Sequence, residues 1–153
     1  MRDAERQTIL GEWMQASLQA GGWHLPVDDV ERELRTIAHA DEWAVTPDAR
    51  TLYVLDGDTL HTVTTTDERE IESTLVRPLK GETIVVRQWP QPPRPYQDTG
   101  TLRETDWAFT YANGEELLRL TGVAITDRIN GGVWRDQSQK LAEAIAGLAD
   151  RNQ

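Results

Sequence analysis

The leading candidates for acid–base or metal chemistry in this chain are three histidines and a scatter of carboxylates. His24, His39 and His61 stand at no spacing that a metal site favours. Holding one ion with His39 and His61 would also need a carboxylate such as Asp41, and the local pattern does not ask for that. The three read as surface or capping histidines. In "LDGDTLH", Asp56 and Asp58 flank Gly57. Paired carboxylates suit Mg²⁺ or Ca²⁺, but a calcium loop needs further oxygen ligands at regular spacing. Aspartate is common in turns because its side chain bonds the nearby backbone, so the stretch reads as a turn.

Nucleophiles are scarcer. Ser17, Ser73 and Ser138 are the only serines, and none lies in a G-x-S-x-G elbow. "NGGVW" has two glycines but neither the lysine nor the strand–glycine–helix frame of a phosphate loop. With no cysteine, thiolate nucleophiles, disulfides, zinc–thiolate sites and iron–sulfur clusters are excluded together. No cofactor and no metal is expected. The chain reads as non-catalytic, and an enzyme would require these scattered groups to converge in the fold.

Binding residues are better represented. Six tryptophans stand against one phenylalanine, and tryptophan joins a large apolar area to one N–H donor. Near the middle, "WPQPPRPY" offers Trp89, Pro92, Pro93, Arg94 and Tyr96, with Trp134 in a second glycine-containing loop. The proline run scans as PxxP, which polyproline II docking would use. A stiff connection between two strands explains it more simply, since proline cannot join a central ladder. A second candidate group, Trp43, Trp107, Phe109 and Tyr111, would line an aromatic pocket. The tract "TDEREIE", residues 66–72, reads as a solvated hairpin tip or as an acidic lure for a basic partner. Arg77, Arg87 and Arg119 could share an outer sheet face, paired across strands with Glu82, Glu104 or Glu116.

The elements that must position these residues follow from periodicity. Residues 3–20 read as an amphipathic helix, with Ile9, Leu10, Trp13, Met14 and Leu18 as its stripe and Asp3 as its cap. A second helix is predicted from Pro26 to about Ala40, with Asp28 and Asp29 at its positive end. From Glu42 the chain turns to short runs rich in β-branched and aromatic residues. Asp56-Gly57, Lys80-Gly81 and Asn113-Gly114 each separate two runs and suit hairpin turns. Trp107, Phe109 and Tyr111 then share one strand face. A last helix is predicted over about Asp136–Ala149, carrying Leu141, Ile145 and Leu148.

The expected fold is α+β: two N-terminal helices, an antiparallel meander of six or seven strands, and a C-terminal helix. At 153 residues it is expected to be a single domain, helical over 1–41, a sheet over 42–126, with the last helix over 135–150. In element count this order is similar to a pleckstrin-homology-like curved sheet or barrel. Asp48, Asp56 and Asp58 occupy the first hairpin loops, where lipid-binding members of that class carry basic residues, so phosphoinositide binding is not expected. No apolar run reaches the roughly 20 residues of a membrane span, and the N-terminus lacks the apolar core of a signal peptide. A cytoplasmic location is the default. The net charge of −10 disfavours nucleic acid and anionic membranes as partners. What remains is an acidic module that binds another protein, in one version a basic one, as an immunity or inhibitor protein would. The alternative is a small-molecule-binding domain with the aromatic pocket.

Overall fold

A computed structural model describes residues 1–21, 25–46, 48–66, 70–90, 105–121 and 130–152. Among the described residues three helices and seven strands appear in the expected order, and the class is α+β. The strands form two antiparallel sheets, not one closed barrel. The chain divides into two compact units, Met1–Leu79 and Lys80–Gln153.

The first unit opens with α1 (Asp3–Gly21) and α2 (Val27–Arg35). The buried stripe of α1 is Ile9, Leu10, Trp13, Ala16 and Ser17, while Met14 and Leu18 are exposed. The stripe is thus turned toward Ala16 and Ser17 and away from Met14 and Leu18. The indole N–H of Trp13 donates to the carbonyl of Ala49 at 2.6 Å in a buried position. Arg6 clasps the two helices, pairing with Asp3 and lying 3.8 Å from Glu31, which also holds Arg35 at 2.8 Å. Helix α2 ends earlier than predicted. Thr36 donates its hydroxyl to the carbonyl of Glu33 at 2.7 Å and its backbone N–H back into the last turn, closing the helix there.

Four strands follow: β1 (Glu42–Val45), β2 (Thr51–Asp56), β3 (Thr59–Thr65) and β4 (Ile71–Pro78), paired in that order. Gly57, at φ 59°, takes the first place of the β2–β3 turn, where a tight hairpin calls for positive φ. Leu52, Val54 and Val63 are buried in this sheet. Cross-strand registers place Trp43, Val54, His61 and Val76 in a single row across it.

The second unit holds β5 (Ile84–Pro90), β6 (Thr105–Tyr111), β7 (Glu116–Thr121) and α3 (Asn130–Asn152). Ile84, Phe109, Leu118 and Leu120 are buried in the sheet, and Leu141, Ala142, Ile145 and Ala149 are buried along α3, which lies beside β5 and β7. Ala149 takes the buried place expected of Leu148, which is half-buried. Helix α3 begins six residues before the predicted cap Asp136, so Asn130–Trp134 is helical and not loop.

Lys80-Gly81 does not close a hairpin. Gly81 has the positive φ expected of a turn, 80°, yet β4 and β5 belong to different sheets. Pro78 ends β4 without an N–H, and the next N–H, of Leu79, is spent on Asp58 at 2.6 Å. Of the two, only the position of Pro78 faces the open edge, and it has no donor to begin a β4–β5 ladder.

Candidate functional site

A cleft of about 490 Å³ opens in the first unit between α2 and the start of β4. Helical spacing brings Asp29, Arg32 and Glu33 to one side of α2. Opposite them run Glu70, Ile71, Glu72, Ser73 and Thr74. A β-bulge between Thr64 and Thr65 shifts the β3–β4 register, and Thr66 and Glu70 close the turn with a 2.9 Å backbone bond. The added twist of a bulge re-aims the strand entering it. Asp29 and Arg32 lie 3.6 Å apart, both well exposed, so the pair contributes little. Among the described residues four carboxylates and one guanidinium thus line the cleft, an excess of negative charge.

Asp56 ends β2 and Asp58 lies in the turn that follows it. Asp41 accepts from the N–H of Gly57 at 2.6 Å, and Asp56 accepts from the N–H of His39 at 3.4 Å, tying the β2–β3 turn to the segment entering β1. Asp48 accepts from Thr46 and from the backbone of Arg50 before β2. Among the described residues no group of three His, Asp or Glu side chains is placed to share a metal ion. His61, between Val54 and Val76 in its row, has its pKa lowered by burial, with the Asp56 carboxylate opposing that shift.

The aromatic group is distributed over both units. Trp43 is half-buried on β1, whereas Trp107, Phe109 and Tyr111 alternate along β6. The Trp107 and Phe109 rings stack with centroids 6.2 Å apart and planes 3° apart, and Phe109 is wholly buried. Arg87 and Arg119 flank Ala108 in one row of the β5–β6–β7 sheet, and Arg119 bonds Glu116. Arg77 belongs to the other sheet. Trp89 lies on β5 and Trp134 on α3, while Pro92, Pro93, Arg94 and Tyr96 fall outside the described residues.

The sequence marks residues 66–72 but not their α2 counterparts, because Asp29 and Glu33 look like ordinary first-turn and exposed-face acids. No motif marks the exposure of β4, where Leu75 and Val76 are 44% and 58% exposed. The signal is present in "IESTLVRP", which does not alternate as a strand with one covered face must. No protein-family model, curated protein or solved structure matches the chain.

Proposed function

We propose that this protein is a non-catalytic binding module for another protein, and that the partner presents positive charge to the α2–β4 cleft. The observation that supports this is the cleft lining, which among the described residues is Asp29, Glu33, Glu70 and Glu72 against Arg32, on a chain of net charge −10. Such a field speeds encounter with a basic partner and repels nucleic acid. An immunity or inhibitor role toward a basic toxin or nuclease is the concrete form of the reading, in a cytoplasmic setting. No helix among the described residues is long and apolar enough to cross a membrane.

The test is capture from native lysate at low and moderate salt, with a Glu70→Lys/Glu72→Lys variant in parallel. A basic protein retained by the native chain and lost by the variant would support the reading. Retention by both, or no partner at any salt, would remove it. The small-molecule reading draws on the Trp107–Phe109 stack, and a thermal shift with a metabolite would favour it instead.

A further inference from the structure

Strand β4 is the outer strand of its sheet, and its two ends are blunted. The bulge opposite Thr65 interrupts it near Glu72, and Pro78 has no N–H to offer. Both are devices that keep sheet edges from pairing without limit. Between them lie Leu75 and Val76, exposed on opposite faces.

The direction of each backbone group follows from two bonds. Leu79 donates to Asp58, and Thr65 donates to Arg50, so the N–H groups of Leu60, Thr62 and Thr64 turn toward β4. Their partners Arg77, Leu75 and Ser73 turn back toward β3, which leaves Thr74 and Val76 directing N–H and C=O to the open edge. Between the bulge and Pro78, an antiparallel strand can bond there only through those two residues.

We propose that the open edge of β4 pairs with β4 of a second copy, antiparallel about a two-fold axis at Leu75. This register sets Thr74 against Val76 of the other copy, twice, and uses every edge N–H between the bulge and Pro78. Shifting the axis to Thr74 calls on the bulged Glu72, and shifting it to Val76 sets Thr74 against Pro78, which lacks a donor. Slipping one strand by a single residue faces edge-directed groups toward groups already bonded to β3. Charge agrees with the antiparallel sense: Glu70 and Glu72 precede the centre and Arg77 follows it, so acidic and basic ends lie side by side, where a parallel pair would align like with like. Leu75 meets Leu75 on one face, and the row Trp43–Val54–His61–Val76 continues into Thr74 and Val63 of the other copy on the other. The four-stranded sheet is doubled, and both new ends are β1 edges, so the assembly closes as a pair. The basic partner proposed above plays no part in this.

The absence of cysteine makes the test direct. Leu75 and its mate form the pair whose bonds face β3, with Cα atoms about 4.5 Å apart, inside the range a disulfide spans. A Leu75→Cys full-length chain should cross-link to dimer under mild oxidation. Ser73→Cys alone and Arg77→Cys alone should not, since like positions would be about 13 Å apart along the strands. An equimolar mixture of the two should, because position 73 faces position 77. Sedimentation of the native chain should show a concentration-dependent dimer, and Leu75→Lys, which sets like charges face to face, should raise its dissociation constant about tenfold or more with unchanged circular dichroism. A native chain monomeric at the highest attainable concentration would overturn the proposal. So would cross-linking stronger at Thr74→Cys or Val76→Cys than at Leu75→Cys, or a dimer indifferent to Leu75→Lys.

Discussion

At the scale of single residues, Trp13 and His61 do most to distinguish this structure from a generic α+β packing. Trp13 fills the interior of its unit and satisfies the carbonyl of Ala49, a non-glycine residue held at φ 60°. Trp13→Phe keeps most of the ring but leaves that acceptor unpaired, so chemical denaturation should show a loss of about 1–3 kcal/mol. Met14→Ala, one residue on and exposed, should stay within about 0.5 kcal/mol. Similar losses for the two would contradict the observed stripe. His61 carries a lowered pKa because burial disfavours its cation. Well above the ordinary histidine value of about 6.5 it is neutral in both folded and unfolded chains and contributes no pH dependence. As pH falls through that value the unfolded chain takes up the proton first, so stability declines until pH passes the lower folded pKa. Urea midpoints measured across this window should fall less steeply for His61→Gln than for the native chain. Equal slopes would rule out His61 as the source.

At the scale of elements, turn chemistry is readable from sequence and strand partnership is not. Asn113-Gly114 closes β6 to β7 as expected, with Asn113 accepting from the N–H of Glu115 at 2.9 Å and Gly114 at φ 89°. Gly114→Ala meets no neighbour, so its cost is backbone strain alone, about 1–3 kcal/mol by thermal or chemical unfolding. A neutral result would mean that the turn relaxes to another form. Lys80-Gly81 has a similar signature and a positive φ, yet joins strands of different sheets. A turn motif reports local dihedral angles only. Whether the flanking strands pair depends on which edge-directed donors remain, and Pro78 has none to give at that end. The α1 stripe shows a similar limit: periodicity locates the helix, while its tertiary packing buries Ala16 and Ser17 and leaves Met14 and Leu18 exposed. The candidate cleft is half-legible, its β4 half as an acidic tract, its α2 half hidden among normal helix-surface charges.

At the scale of the whole molecule, charge is the dominant property. A chain of net charge −10 repels itself, and salt relieves that repulsion. Raising ionic strength from about 0.01 M to about 0.1 M shortens the screening length from about 30 Å to about 10 Å, so the melting temperature should rise. A fall would mean that specific ion pairs outweigh the net repulsion. The arginine row holds only within one sheet: Arg87 and Arg119 share it across Ala108, and Arg77 lies elsewhere.

Composition and local pattern alone determined the helix and strand inventory, the α+β class, the acidic character and the exclusion of cysteine chemistry. These depend on neighbours a few residues apart and on sums over the chain, which a sequence states outright. Tertiary structure alone decided that the strands form two sheets, that α2 stands across a cleft from the start of β4, and that β4 is the outer strand of its sheet. Each of those depends on which backbone donors find partners across distant segments, and no local pattern records it.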